Sequence, residues 1–507
     1  MCVVVRGLTD GRRPPMLHTL LLSCTYVQAP HSAAQSLLQR CENCRAPLVA
    51  TTLCAEQDQL VKELREAKSL AELVELHAAH QDGFESMHVG AFWGRVKKLA
   101  NAERSWLRSG GSRKLRPACQ QTAKLLPTMH PQHVAKTARA LGKTRLAGRM
   151  PWELVWNALP AAAMAKFDEM NPKQLCSTAW AFAIAAGKVE LPGAAYHAAP
   201  DVFEAVALEA VGRLSEFNGQ DIANLAWAFA TASHESPSRK HLFDSIGAEV
   251  AARQLDEFKP QEMSNTAWAF AAQGHAAPEM FEAIAVEATK RSLEDFNSQA
   301  LSNMAWAFAV LDYAPQVGLF ESPHLFARRC SAIAPEFATV ALLQLHQYSL
   351  WCEERGGVWP PLPEALRERC VEAFIATQLR ARPSKMQLDV SASLRKLGAT
   401  VQDEYICEDS GYSIDALVDL GDGVKIAVEV DGPNHFVGDS KTLTGATILK
   451  RRQLRHFGWH TVSVAHWEWS PFEWNEPGLR QRKREAYLRR CLNEATEATD
   501  GVALRAN

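Results

Sequence analysis

At 507 residues the chain is long for a single folding unit, and its 47% apolar content is that of a globular protein. A formal net charge of −2 with 22% charged residues gives no global basic signal, so any surface for a polyanion has to be local. No stretch approaches the roughly eighteen apolar residues needed to span a membrane.

Residues 1–55 read as an organelle transit peptide, with a disordered leader as the alternative. The segment carries Arg6, Arg12, Arg13 and Arg40, with Asp10 its only acid before Glu42. His18 and Thr19 interrupt the apolar run that a secretory signal needs, whereas an acid-poor, Arg- and Ser-containing leader suits import into an organelle. The 12 cysteines have no framework spacing, and reduced, buried thiols are expected; Cys41 and Cys44 form a lone CxxC without a second pair nearby.

From Leu60 the text is helical, with charge on one face of residues 60–80 and leucines on another. Residues 60–352 are then organised by a phrase that recurs four times: MNPKQLCSTAWAFA (170–183), FNGQDIANLAWAFA (217–230), FKPQEMSNTAWAFA (258–271) and FNSQALSNMAWAFA (296–309). Its tryptophans, Trp180, Trp227, Trp268 and Trp306, stand roughly forty residues apart, the period of a helical-pair repeat. A second amphipathic phrase follows each copy and opens near Phe203, Phe243, Phe281 and Phe326. Looser copies begin at Met129, with Arg139 in the tryptophan column, and at Met87, with Lys97 there. Residues 108–117 read as a loop, and 335–351 as a last capping helix. Repeats that cannot bury their own apolar faces must stack, so the expected architecture is an α-solenoid.

Gly356, Gly357, Pro360, Pro361 and Pro363 mark a boundary. Residues 353–404 are expected to be linker and helices. The period then changes from 3.6 to 2: residues 412–420 and 424–431 read as a hairpin turning at Gly421-Asp422-Gly423, 444–457 as a helix, and 460–466 as a further strand. A small α+β domain over 405–475 and a basic helix and tail over 476–507 complete the chain.

Within each phrase, counting the opening Phe or Met as the first column, the sixth, tenth and thirteenth columns are apolar throughout (Ile222, Ala226, Phe229; Met263, Ala267, Phe270) and form the core stripe. The fourth, eighth and eleventh hardly vary (Gln220, Asn224, Trp227; Gln261, Asn265, Trp268; Gln299, Asn303, Trp306). Identical amides in neighbouring repeats satisfy one another, so a ladder is expected there. The fifth and ninth columns do vary: Gln174 and Thr178, Asp221 and Leu225, Glu262 and Thr266, Ala300 and Met304. Helical repeats that read single-stranded RNA use two or three side chains per base, which makes these eight the candidate reading residues.

The phrase N-x-A-W-A-F-A on a helical pair of this length resembles the octotricopeptide repeats of organelle RNA-binding proteins, which are related to the repeats of FAST-kinase-like proteins. The C-terminal domain resembles the RAP domain, through Ile414-Asp415, the run Ala427 to Phe436 (AVEVDGPNHF), Lys450-Arg451-Arg452, Gly458-Trp459 and Trp467. The resemblance implies an organellar protein, of mitochondrion or chloroplast, whose partner is single-stranded mRNA or rRNA. The implied role lies in RNA stability, processing, translation or rRNA maturation, with the ribosome or RNA-processing proteins as further partners.

The RAP domain is in turn similar in outline to restriction-endonuclease-like folds, which hold a divalent metal between an acid on one strand and an acid-x-Lys on the next. Asp415, Glu429 and Asp431 would be the Mg²⁺ ligands of such a nuclease, with Lys450 as its cation or His435 as its base; Asp431 stands where the lysine would be. Outside that case no cofactor is implied. In the binding version, Lys450, Arg451, Arg452 and Arg455 meet phosphates and nearby Trp459, Trp467 and Trp469 stack on bases. Positive potential is expected on the concave solenoid face and the C-terminal domain. A protein-interaction scaffold remains the alternative outside nucleic-acid chemistry.

Overall fold

The structure, a computed structural model, describes residues 57–144, 151–186, 200–232, 237–322, 325–419, 425–438 and 440–503. The expected leader, the Cys41–Cys44 pair and the hairpin turn at Gly421-Asp422-Gly423 lie outside the described residues. Residues 1–67 and 68–507 form two units. In the first, residues 57–66 are helical; the second holds every element named below.

The second unit opens with α1 (Leu70–Ala79), whose N-cap Ser69 accepts the Glu72 amide. Two rows of helices then interleave. The even-numbered row is α2 (Ser86–Leu99), α4 (Pro131–Thr144), α6 (Pro172–Ala186), α8 (Gly219–Ala232), α10 (Pro260–Ala272), α12 (Ser298–Leu311) and α14 (Thr339–Glu354). The odd-numbered row is α3 (Arg116–Leu125), α5 (Glu153–Met164), α7 (Pro200–Val211), α9 (Pro237–Ala252), α11 (Pro278–Lys290), α13 (Phe326–Ala332) and α15 (Glu364–Gln378). Proline opens six of these helices, at Pro131, Pro172, Pro200, Pro237, Pro260 and Pro278. At that position its missing N–H costs nothing and its fixed φ already suits the helix.

Each even-numbered helix packs on the next from α2 to α14. The second phrase of each repeat meets the first phrase of the next through phenylalanines: Phe203 with Phe229 at 5.1 Å, Phe243 with Phe270 at 4.9 Å and Phe281 with Phe308 at 5.1 Å, all edge to face. Successive repeats are also stapled by a recurring arginine. Arg253 donates to the carbonyls of Leu214 and Phe217, Arg291 to those of Leu255 and Phe258, Arg329 to Phe296 and Arg369 to Ala334. The acceptors are carbonyls of the short turn before an even-numbered helix, where Leu214, Leu255 and Ala334 otherwise hold a single turn bond, from Phe217, Phe258 and Phe337.

Residues 108–117 are not a simple loop: helical turns Leu107–Gly111 and Ser112–Lys114 occupy most of the segment, and the break falls at Gly110, where φ is 102°. The boundary after α14 is also tighter than a linker. Trp359 is buried against Trp351 at 4.5 Å, and α15 packs on α14.

After α16 (Lys385–Lys396) come β1 (Thr400–Ile406), β2 (Ser413–Asp419), β3 (Lys425–Asp431), α17 (Gly445–His456), β4 (His460–Ala465) and α18 (Pro477–Ala503). The sheet order is β1-β2-β3-β4, with β1, β2 and β3 antiparallel and β3 parallel to β4. The expected limits of 405–475 are too narrow. Strand β1 starts at Thr400, and Val390 and Leu394 of α16 with Tyr487, Leu488 and Leu492 of α18 fill the core with Ala416, Val418, Ile426, Val428 and Val464. No helix of the described residues is long and apolar enough to cross a membrane.

Candidate nucleic-acid interface

A helix inside a stacked row is covered by the odd-numbered row behind it and by a neighbour on each flank. Only a narrow stripe is left to solvent, and it is not the stripe expected from the variable columns. Thr178, Asp221, Leu225, Thr266, Ala300 and Met304 are all buried, and Gln174 and Glu262 are half-buried. Burial holds the Asp221 carboxyl above its ordinary value. Thr178 and Thr266 turn their hydroxyls back to the carbonyls of Gln174 and Glu262. These columns pack repeat against repeat, so they are corrected from a solvent-facing reading code to inter-repeat contacts.

The open stripe is formed by the fourth, eighth and eleventh columns: Gln220 and Gln261 are exposed, and Asn224, Asn265, Trp180, Trp227 and Trp268 are half-buried. It is a ladder as well as a surface. Trp180 stacks on Trp227 at 6.5 Å and Trp268 on Trp306 at 6.2 Å. Asn303 donates to Asn265 at 3.1 Å and accepts from Gln344 at 3.0 Å. Half-open indoles bracketed by amides offer flat π faces on which any unpaired base can stack.

Toward the N-terminal repeats the same columns become cationic. Arg139 lies over the Trp180 ring at 5.7 Å and donates to Ser177. Lys98, Lys136, Lys143 and Lys173 are exposed around it. Burial holds Lys97 below its ordinary value, and the nearby charges of Lys143, Arg139 and Lys98 add to it.

At the other end the stripe runs into the C-terminal domain. Trp306 donates to Gln347 at 2.8 Å, Gln347 donates to the Tyr412 hydroxyl at 2.7 Å, and that hydroxyl donates to Gln453 of α17 at 2.8 Å. Arg452 pairs with Glu354 and donates to the carbonyls of Ala309 and Val310 at the end of α12. Gly445 packs so closely that a Cβ there would lie 1.8 Å from the Ala271 carbonyl oxygen.

The expected phosphate ligands of α17 are therefore largely committed inside the molecule. Lys450 pairs with Glu429 at 2.5 Å, Arg451 bonds Asp431 and Ser463, and Arg452 is the bolt just described. Lys450, Arg451 and Arg452 are corrected from RNA ligands to partners of buried carboxylates and carbonyls; Arg455 alone of the four is exposed. The physical reason is that Glu429 and Asp431, two apart on β3, share one buried face and must be neutralised there.

Those carboxylates do not fit a metal. Asp415 accepts the Val430 amide at 2.7 Å, Lys450 sits on Glu429, and Asp431 is enclosed by Arg451, Ser463 and, at 3.0 Å, His435. Among the described residues no group of three or more His, Cys, Asp or Glu is arranged to hold a metal ion. Burial raises Asp415 and pushes Glu429 up to about 7, with Lys450 offsetting only part of it. For Asp431 burial acts upward, but the bonds from His435 and Ser463 and the charge of Arg451 outweigh it and hold the group below the usual range.

Of the expected stacking residues, Trp469 is core, under the Arg484 guanidinium at 4.7 Å, and Trp459 is held by Cys407 and Tyr405. Trp467 is half-buried against Phe436 at 4.2 Å. Sequence reasoning misses Trp474, which is 92% exposed at the start of the cationic α18, where Arg482, Lys483, Arg489 and Arg490 are exposed. The mixed run WEWSPFEW hides it, since nothing in the order of residues separates a core indole from an open one.

Residues 428–490 match the RAP domain. A chloroplastic RAP domain-containing protein of Oryza sativa subsp. japonica is 38% identical over 110 residues, 22% of this chain and 15% of that protein. The mitochondrial FAST kinase domain-containing protein 5 of Mus musculus is 40% identical over 48 residues, 10% of this chain and 6% of its own. The counterpart from Macaca fascicularis is 37% identical over 49 residues. The chain thus matches well under two thirds of the length of these relatives.

Proposed function

We propose that the protein binds single-stranded RNA in an organelle and acts after transcription, on the stability, processing or translation of a transcript or on rRNA maturation. The observation that carries this reading is the open stripe of the even-numbered row: half-exposed Trp180, Trp227 and Trp268 in line with Lys98, Arg139, Lys143 and Lys173. Cations for phosphates beside aromatic faces for bases are what sequence-tolerant single-strand binding requires. The RAP domain and the relatives' names support the placement, two being named mitochondrial and one chloroplastic. The resemblance of the repeats to octotricopeptide repeats points the same way.

The C-terminal domain serves as the end wall of this surface and not as a nuclease, because its acids are neutralised by Lys450 and Arg451 in place of a metal. Crosslinking the tagged protein to RNA in its organelle tests the reading. Crosslinked peptides carrying Trp227 or Trp268 support it, and crosslinks confined to the odd-numbered row overturn it. That second row favours a protein contact: Leu208 and Val286 are exposed there among glutamates, which suits a cationic partner such as an RNA-processing or ribosomal protein.

A further inference from the structure

Strands β3 and β4 are parallel neighbours joined across α17, with Asp431 opposite Ala465 at their carboxyl ends. The chain leaving β3 (Gly432 to His435) and the chain leaving β4 (His466, Trp467) therefore stand side by side. Together they form an edge beside the carboxyl ends of the one parallel pair in the sheet. The fold here closes a loop over it: Val437 donates to the Thr442 carbonyl at 2.8 Å and Thr444 to that of His435 at 2.9 Å, and Phe436 bridges to Leu443.

Three side chains at this edge, His435, Trp467 and Lys441, keep part of their surface open to solvent. His435, 37% exposed, has Nδ1 3.0 Å from the buried Asp431, whose other oxygen is held by Arg451 and Ser463. The imidazole is thus fixed by its inner nitrogen, and Nε2 is left for a ligand. Trp467 rests one side on Phe436, and the Lys441 ammonium stands 5.7 Å from its ring centre. Beside it the buried Nδ1 of His466 has no hydrogen-bond partner.

We propose that this edge binds one nucleotide of an unpaired RNA strand, the base stacked on Trp467 and its phosphate held between Lys441 and Nε2 of His435. The proposal rests on the RNA-binding reading and adds a defined end point to it. The edge adjoins the stripe: the Leu443 carbonyl oxygen is 3.6 Å from where a Cβ of Gly274 would stand, and Gly274 follows α10. Gly274 is six residues, roughly one and two-thirds helical turns, beyond Trp268, so the edge stands at the end of the helix that carries this part of the stripe.

The test uses the full chain and a fluorescent single-stranded RNA carrying 4-thiouridine. Crosslinks are expected on the peptide containing Trp467. Lys441→Ala should weaken binding and lower the salt slope by about 0.7, and Trp467→Leu should weaken it about tenfold. Lys441 is exposed, so its variant answers even if Trp467→Leu fails to fold. Unchanged affinity and slope in both Lys441→Ala and His435→Ala, with binding lost in Lys98→Glu/Lys143→Glu, would remove this site and leave the stripe. A wild-type protein that binds no RNA would overturn both.

Discussion

Arg452 of α17 and Glu354, the last residue of α14, form a 3.0 Å ion pair that joins the C-terminal domain to the end of the solenoid. Glu354 is nearly buried, and the same guanidinium donates to the carbonyls of Ala309 and Val310 at the end of α12. Removing one partner of such a pair leaves a charge without compensation, at a cost of roughly 3–5 kcal/mol. Arg452→Ala should therefore lower the melting temperature and open residues 355–363 to limited proteolysis. An unchanged melting profile and cleavage pattern would show that the bolt holds nothing.

Gly445 tests the same junction by sterics. A methyl group there would press on the Ala271 carbonyl and on Val310, whereas a methyl at Gly478 of α18 meets nothing within 4 Å. Gly445→Ala is expected to destabilise the protein by about 1–3 kcal/mol, as overpacking does, and Gly478→Ala to leave it unchanged or slightly firmer. Calorimetry of the pair decides; equal stabilities would contradict the close approach.

Glu429 gives a dependence on pH. Its carboxyl is raised by burial to about 7 in the folded protein, against about 4.3 in an unfolded chain. Between those values the folded state holds the extra proton, so this group's contribution falls as pH rises and its full cost is present above about 7. Glu429→Gln cannot lose that proton. Its stability relative to the wild type should rise from pH 4.5 to pH 7 by up to roughly 3 kcal/mol, read from melting temperatures in parallel buffers. A constant offset across the window would mean that Glu429 is ionised throughout.

The neutralised acids also set an expectation for catalysis. Purified protein should not cleave bound RNA with added Mg²⁺ or Mn²⁺, since Lys450 and Arg451 stand where metal would have to bind. Cleavage that disappears in Asp415→Ala would reverse that assignment.

Much of this architecture is legible in the chain. The recurrence of Trp268 and its counterparts defines the repeat, Phe229 and Phe270 mark the core, and the change of period finds β2, β3, α17 and β4. The variable columns mislead because a helical wheel assumes one covered face. Asp221 and Met304 are buried between neighbouring helices, where packing and not solvent surrounds them. Strand β1 is hidden because TVQDEYI is polar on both faces, as an edge strand can be. The staples Arg253 and Arg291 are equally hidden because they bond backbone carbonyls, which leave no trace in residue type. The fate of Lys450 and Arg451 is within reach of the sequence: two acids at alternate positions of the apolar β3 signal buried charges in need of cations.

Whether RNA lies along the open stripe of the even-numbered row is decided by the affinity of a single-stranded RNA as a function of salt, for the wild type and for Lys98→Ala/Lys143→Ala/Lys173→Ala. Each lysine withdrawn from a phosphate should reduce the slope by about 0.7, so the triple variant should bind more weakly with a slope lower by about 2, while Lys240→Ala on α9 of the other row changes neither. An unchanged slope in the triple variant, or an equal weakening in Lys240→Ala, would contradict the account.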